Sequence, residues 1–463
     1  MARVFLLNPP SPEPVKTPLL AFCHLASSLR AGGHDVALLD ASTLHAPRDP
    51  EAIEERIVAF APDVVGLHLK TLHVQPAYAL AARLAARWPL VAGGPHATIR
   101  PDEPFRHGFR FVVRGEGEPT LVELADALDG RRPLDGILGL SFRGPLGPRH
   151  NAARDFLRDL DALAAPMAAL DLFDPAWYGA AAPIPPAGLL SSRGCPAACT
   201  FCANNVTGRR FRYRSPGAVV AEIEDLQDRY DLRAFSFFDD SFAVGHRRVD
   251  ELCAALRRLR RPVHWTCTAH PAHLDPPTLR AMKAAGCGGV DIGMESGDPG
   301  MLLRIGKGVT VGRVVDVLRW CRDVGLHTVV NLMFGWPDET DAELDATIAF
   351  MERAAPLAGG FNARGVLVPY PGTAIYDEHH ERFGFTDWWV AEAPIVYPAF
   401  PVEWSAAEVL RCYADDPALE RNFFRHPPAR VDRIRAALHA KAEHTLGQIA
   451  RISERAVPAA GAR

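Results

Sequence analysis

Short apolar runs alternate with longer amphipathic stretches over the first 130 residues. Residues 4–7, 35–39, 63–69, 90–93 and 111–113 are nearly continuous apolar runs bounded by glycine, proline or polar residues, the pattern of strands buried on both faces. Between them, residues 17–30, 50–60, 74–87 and 118–128 carry apolar positions at helical spacing. Strand–helix alternation predicts a parallel sheet covered on both sides. The rhythm breaks at Asp129-Gly130-Arg131-Arg132-Pro133. Residues 131–185 read as a linker, with a short hairpin predicted at 136–143, a proline at 166 and three prolines within 180–186.

The alternation resumes with longer units. Strands are predicted at 188–192, 234–238, 263–268, 289–294, 328–334 and 365–368, and helices at 216–230, 246–260, 277–285, 311–324 and 341–353. Ser215-Pro216 supplies a cap and a first-turn proline for the helix that follows. Six βα units fall short of the eight of a closed barrel. Beyond about residue 381 the rhythm ends. Trp388, Trp389 and Trp404 precede helices predicted at 406–413 and 430–452, and residues 457–463 read as disordered. The predicted fold class is thus α/β. A flavodoxin-like domain spans 1–130, since five strands fit that doubly wound order. A linker follows at 131–185, a partial (β/α)6 barrel at 186–380 and a short, mostly helical C-terminal cap at 381–463.

Composition narrows the partners. The 463 residues are 48% hydrophobic and 23% charged, with 51 Lys+Arg against 55 Asp+Glu and a net charge of −4. That balance gives no electrostatic footprint for nucleic acid, and no apolar run is long enough to suggest a membrane span. The N-terminal residues read as a strand rather than a signal peptide. Nine cysteines, three of them clustered, do not form a disulfide scaffold, so the expected compartment is the cytoplasm.

The candidate chemistry centres on Ser191-Ser192-Arg193-Gly194-Cys195-Pro196-Ala197-Ala198-Cys199-Thr200-Phe201-Cys202. Three thiolates spaced C-x3-C-x2-C on a loop suit three irons of a [4Fe–4S] cluster and leave the fourth iron open for chemistry. A structural zinc site wants four ligands, usually as two paired spacings, and no second C-x2-C exists. Cys23, Cys253, Cys287 and Cys321 read as small core residues; Cys267 lies on a strand that reads as facing the barrel interior. Arg209, Arg210, Arg212 and Arg214 follow the cysteine loop and read as a solvated surface run.

The cysteine segment resembles the signature of the radical S-adenosylmethionine (radical SAM) enzymes. Asn8-Pro9-Pro10, Gly93-Gly94-Pro95-His96-Ala97-Thr98 and Arg114-Gly115-Glu116-Gly117-Glu118, at the carboxyl ends of the first domain's strands, resemble its cobalamin-binding branch. The resemblance implies that Cys195, Cys199 and Cys202 are the catalytic cluster ligands and that S-adenosylmethionine chelates the open iron. Phe201 and Asn204 would lie beside the adenine and that iron, and Glu295 would contact S-adenosylmethionine. Asp239 and Asp240 would face its cationic groups or, equally, serve as a helix cap or salt bridge. Asn331 and Tyr370 are further pocket candidates. For cobalamin, the resemblance points to the loops of Asn8, Gly93, Gly94, His96, Glu116 and Gly117, with Lys70 and Thr71 in a loop under the lower cobalt face. The D-x-H-x-x-G pattern that supplies a cobalt-ligating histidine is absent, which implies a base-off cofactor without a histidine ligand.

The implied cofactors are therefore a [4Fe–4S] cluster, S-adenosyl-L-methionine and cobalamin. The implied reaction is methylation of an unactivated carbon in a small metabolite or natural-product intermediate. The alternative is a cobalamin-dependent radical SAM cyclase or rearrangement enzyme. A sensor without turnover would not need a whole barrel. The expected partners are a small-molecule substrate and an electron donor such as flavodoxin or ferredoxin, with neither nucleic acid nor membrane.

Overall fold

The structure, a computed structural model, describes residues 1–178, 188–204, 206–398 and 405–456, with side chains to 448. The proline-rich part of the linker, Trp404 and the predicted tail 457–463 lie outside the described residues.

The first unit runs β1 (Arg3–Asn8), α1 (Leu20–Ala31), β2 (Asp35–Asp40), α2 (Pro50–Phe60), β3 (Val64–His68), α3 (Val74–Leu84), β4 (Leu90–Gly93), α4 (Pro95–Ile99), α5 (Glu103–Arg106), β5 (Phe111–Val113) and α6 (Glu118–Leu128). These strands are parallel in the order β2-β1-β3-β4-β5, the flavodoxin-like order that the alternation implied. Val4, Leu7, Val64 and Val65 are fully buried, as expected for central strands covered on both faces. The hairpin expected at 136–143 is displaced: β6 (Leu140–Gly144) pairs antiparallel with β5, and β7 (Gly147–His150) antiparallel with β6, extending the same sheet. The sheet therefore continues past residue 130. Leu140 and Phe142 are buried, so the apolar side of β6 completes this core instead of bridging to the next.

The second unit contains β8 (Gly188–Leu189), β9 (Ser192–Arg193), β10 (Arg212–Tyr213), α7 (Pro216–Tyr230), β11 (Ala234–Phe237), α8 (His246–Leu256), β12 (His264–Ala269), α9 (Pro276–Ala284), β13 (Cys287–Glu295), α10 (Pro299–Arg304), α11 (Val311–Asp323), β14 (His327–Leu332), α12 (Asp341–Ala354) and β15 (Gly360–Phe361). Six parallel strands, β8-β11-β12-β13-β14-β15, form an open sheet, the partial barrel. Along β12, Trp265, Cys267 and Ala269 are buried while His264, Thr266 and Thr268 are exposed. This two-residue alternation gives the barrel an accessible polar inner face, and puts Cys267 on the opposite, buried side rather than facing the interior as expected. Asp291 and Asn331, both partly exposed, fall on the same inner face by register.

Two predicted strands are shorter than expected, for one physical reason. The backbone N–H groups of Ser191 and Ser192 donate to Asp239 at 2.7 and 3.1 Å. Those of Gly365 and Val366 donate to Asp416, both at 3.1 Å. Once a buried carboxylate takes the N–H groups, the ladder is no longer their partner. Residues 365–368 thus contribute only a bridge from Phe334 to Val366.

The C-terminal part comprises α13 (Ala374–Phe383), α14 (Trp388–Ala391), α15 (Ala406–Ala414), α16 (Pro417–Arg421) and α17 (Pro428–Ala456). Helix α17 packs on β15 and α15, and α14 reaches back to α3. There Gln75 donates to the Trp389 carbonyl (2.9 Å) and the Trp389 indole to Glu103 (3.0 Å). No described helix is long and apolar enough to cross a membrane.

Candidate functional site

The cysteine loop hangs from a two-stranded neck. Ser192 and Arg193 of β9 pair antiparallel with Tyr213 and Arg212 of β10. Within the loop, Cys195 N–H donates to Gly208 O (3.1 Å), Cys202 N–H to Cys199 O (3.2 Å), and Thr200 N–H crosses to Ile305 O (2.9 Å). Gly194 has φ +87°, and a Cβ there would lie 2.3 Å from Arg210 O, so only glycine makes this turn. Cys195, Cys199 and Cys202 are all free thiols. Burial raises all three above the usual thiol range, Cys202 to about 11, so cluster assembly must release their protons. Among the described residues, no three His, Cys, Asp or Glu side chains converge on a single ion. Three thiols of one loop with no fourth ligand nevertheless fit three corners of a cubane, and the donor chemistry suits iron–sulfur ligation.

Glu295 ends β13 with φ +70°, held by a 2.9 Å ion pair to Lys307 Nζ, both residues buried. Burial opposes the charge on Lys307, but Glu295, then Cys199 and Cys195, hold its pKa above the ordinary lysine value. Lys307 thus puts a fixed positive charge beside two cluster thiols. Sequence reasoning missed it; its flanking Gly306 and Gly308 were the available signal.

The two aspartates divide their roles within the fold. Asp239 Oδ1 accepts the two serine N–H groups, and Oδ2 accepts the Ser191 and Ser192 hydroxyls at 2.5 and 2.7 Å, with Arg248 at 3.4 Å. Of the two readings left open for it, the structure favours the brace. Asp240 accepts from Gly194 N–H (2.7 Å) and the Thr207 hydroxyl (2.8 Å), closing the cysteine loop. Asn204 is likewise occupied, donating to Gly208 O at 2.8 Å, with its Oδ1 2.5 Å from the Thr207 hydroxyl, whose one proton is shared between Asn204 and Asp240. The Phe201 ring meets Trp336 edge-on at 5.5 Å. Tyr370 is half-buried at 6.3 Å from the Trp388 ring.

At the carboxyl edge of the first sheet lies a slot of about 230 Å³. Its walls include Gly66, His68, Gly93, Gly94, Phe22 and Leu121, with Gly115, Glu116, Gly117 and Glu118 at its rim. Leu190, Arg193, Val206 and Thr207 close it from the second unit. This volume is below the ~300–1,000 Å³ of a whole drug-sized ligand pocket, so the slot has room for only part of a larger ligand. A Cβ on Gly66 would come within 3.2 Å of Leu6 Cδ2, so the bare backbone keeps the slot open. A mostly apolar slot at a doubly wound sheet's carboxyl edge suits the nucleotide tail of cobalamin.

Of the cobalamin candidates, Gly93, Gly94, Glu116 and Gly117 line this slot, whereas Asn8, Lys70, Thr71 and His96 do not. The Asn8 amide donates to Asp40 (2.8 Å) and Ser42 (2.7 Å). Both His96 ring nitrogens lie 3.1 Å from partners, Thr71 and Glu103. These residues brace the wall from behind. Lys70 is half-buried, its pKa lowered by burial, with Asp40 and Glu13 as opposing charges. His68, missed in sequence, lines the slot, and burial drives it down to about 3, leaving it neutral. The Glu116 side chain turns away to Arg193 and Arg212, both buried. The arginine run is therefore not one solvated surface: Arg212 and Arg214 are buried while Arg209 and Arg210 are exposed.

A three-thiol cluster loop on a partial barrel, joined to a flavodoxin-like sheet with an apolar edge slot, defines a radical enzyme with two cofactor sites. The Radical SAM superfamily model matches residues 189–351, and the B12 binding domain model matches residues 15–125. An uncharacterized methyltransferase of Pyrococcus horikoshii is 32% identical over 81% of this chain and 82% of its own. An anaerobic magnesium-protoporphyrin IX monomethyl ester cyclase of Synechocystis is 27% identical over 71% of this chain and 68% of its own. The structure of the radical S-adenosylmethionine methyltransferase TsrM from Kitasatospora setae superposes with a TM-score of 0.66 at 22% identity, covering 85% of this chain and 79% of that one. The chain belongs to the cobalamin-dependent radical SAM enzymes, whose cofactors are a [4Fe–4S] cluster, S-adenosylmethionine and cobalamin.

Proposed function

We propose that this enzyme methylates an unactivated carbon of a small molecule. When bound, the cofactors supply a 5′-deoxyadenosyl radical at the cluster and a methyl carrier at the corrin. The observation that carries the reading is the meeting of the two cofactor loops: residues 115–118 of the first unit and Arg193, Val206 and Thr207 of the second line one slot. A radical at one loop and a methyl group at the other then reach one substrate carbon, and that proximity is what the reaction needs. The inner barrel face, with Ser236, Thr266, Thr268, Asp291 and Asn331, offers hydrogen-bonding groups to a polar substrate. The methyltransferase at 32% identity supports this reading. The cyclase relative favours the second one, ring closure or rearrangement without methyl transfer. A one-electron donor such as flavodoxin or ferredoxin and a cytoplasmic setting complete the proposal.

Trideuteromethyl S-adenosylmethionine tests it. Product carrying the label, with one 5′-deoxyadenosine and one S-adenosylhomocysteine per turnover, is expected. Product formed together with 5′-deoxyadenosine but without label would replace methylation by the second reading.

A further inference from the structure

We propose that Glu116 couples the cobalamin slot to the cluster loop, so that cobalamin occupancy controls how firmly the cluster is held. The inference concerns the cofactor sites and holds whichever reaction they serve.

Residues 194–211 carry the cluster cysteines, and Arg193 and Arg212 face each other across the neck of that loop. Both guanidinium groups close on one carboxylate from the other domain. Arg193 Nη1 donates to Glu116 Oε1 at 3.0 Å; Arg212 Nη1 reaches Oε1 at 2.8 Å and Oε2 at 2.7 Å. The grip extends both ways. Arg193 Nη2 lies 2.5 Å from Glu118 and 3.1 Å from His24, and Arg212 Nη2 donates to Thr207 O at 2.7 Å. The Leu157 N–H donates to Glu116 Oε2 at 2.7 Å. Glu116, Glu118, Arg193 and Arg212 are each 5–6% exposed, so water does not screen the network.

The same residues wall the slot. Glu116, Glu118 and His24 line it from the first unit, and Arg193 and Thr207 from the second. A ligand that sets the 115–118 loop therefore sets Glu116, which sets the neck of the loop two residues before Cys195. Arginine forks transmit position because their paired donors fix direction as well as distance. Losing Glu116 leaves Arg212 buried without its carboxylate, while Arg193 keeps Glu118, so the loss falls on the Arg212 side of the neck. Two sites that bias one shared element are thermodynamically coupled, and coupling of this kind is typically ~5–150-fold.

The test measures cofactor retention rather than turnover. Anaerobically reconstituted protein, with or without bound cobalamin, is challenged with a ferrous chelator and the rate of iron loss followed. Cobalamin affinity is titrated spectroscopically with and without the cluster. In the wild type the cluster should tighten cobalamin about tenfold, within the usual range of coupling, and cobalamin should slow iron loss several-fold, a rate that reciprocity does not tie to the same factor. In Glu116→Gln and in Arg212→Lys, the latter keeping the charge but losing the fork, both effects should shrink to about twofold or less on the same scale. Simple shielding of the cluster by the corrin would persist in both variants. Wild-type iron loss that ignores cobalamin, or both variants keeping the full wild-type effect, overturns the proposal. If Glu116→Gln binds no cobalamin, Arg212→Lys decides on the same criterion.

Discussion

Replacing Asp239 separates its two possible roles, brace of the fold or contact for S-adenosylmethionine. Its carboxylate is 3% exposed and works as a two-sided clamp. Oδ1 takes the N–H groups of Ser191 and Ser192, while Oδ2 takes both hydroxyls and faces Arg248. Hydrogen bonds to a charged group contribute about 1.5–3 kcal/mol each but do not add. Removing one member of a buried pair costs ~3–5 kcal/mol. Asp239→Ala strands two N–H groups, two hydroxyls and Arg248 together, so a loss of about 4 kcal/mol is expected from those magnitudes. Asp239→Asn keeps an oxygen for the two N–H groups, and its NH2 can donate to the hydroxyls, which can turn; only Arg248 loses its charge partner, keeping Ser191 Oγ and Phe242 O as acceptors. About half the loss, ~2 kcal/mol, is expected. The assay is anaerobic urea unfolding of the cofactor-free protein, followed by fluorescence of the buried barrel tryptophans Trp265 and Trp336. Without cofactor, a lost ligand contact cannot move the midpoint. An alanine variant with the wild-type midpoint but no S-adenosylmethionine binding would refute the brace and return Asp239 to the cofactor pocket.

Changing Cys195, Cys199 and Cys202 together to Ala should reduce reconstituted iron from about four per chain to background and abolish S-adenosylmethionine cleavage, measured as 5′-deoxyadenosine; wild-type cleavage would sink the cluster assignment. Gly94→Ala puts a Cβ at φ +96°, 2.4 Å from His68 Cδ2, so it should cost ~1–3 kcal/mol in backbone strain and weaken cobalamin in a spectral titration; unchanged stability and affinity would contradict the packing. Bound cob(II)alamin should show no axial nitrogen hyperfine splitting by electron paramagnetic resonance, because the His68 ring is wedged against Gly94 with Nδ1 3.4 Å from Asn8 Oδ1; a splitting lost in His68→Ala would make His68 the ligand. Burial depresses Lys441 from 10.5 to about 7, against the opposing charges of Asp416 and Glu295, so between these values the unfolded chain holds the extra proton and stability should rise with pH. That rise is at most on the order of 5 kcal/mol; Lys441→Met should remove it, and parallel unfolding curves for the two proteins from pH 7 to 10 would refute the assignment.

The sequence made the strand order legible because buried parallel strands write themselves as apolar runs, and the cysteine spacing marked the candidate cluster loop because residues of one loop are local. Long-range carboxylates were not legible. Asp416 lies 50 residues from the backbone N–H of Val366 that it takes from the sheet. Nothing in residues 365–368 announces that partner, so a strand was expected there. His96 misled in the opposite sense. Its place in a glycine-rich loop suggested ligand contact, but a histidine with both nitrogens occupied by Thr71 and Glu103 is a brace. Lys307 was invisible because a lysine between glycines reads as a surface turn until Glu295 and the thiols are placed around it.

Arg212 and Arg214 show why the interface escaped detection and what it accomplishes. Four arginines in six positions look like a solvated run, yet a two-residue strand such as β10 sends alternate side chains to opposite faces, so Arg212 and Arg214 are buried while Tyr213 is exposed. Apolar contact alone would hold the two units together, but it is non-directional and tolerates sliding between them. A radical and its target hydrogen do not tolerate it, since near-attack geometry is needed before the radical is quenched. Two guanidinium groups meet Glu116 through Nη1 while their Nη2 atoms hold Glu118 and the Thr207 carbonyl, and this adds the missing direction, at the desolvation cost that buried charges carry. The carboxyl edge of the first sheet and the carboxyl end of β8, which leads into the cluster loop, are thereby tied to one another through Glu116, with Glu118 and His24 beside it on Arg193.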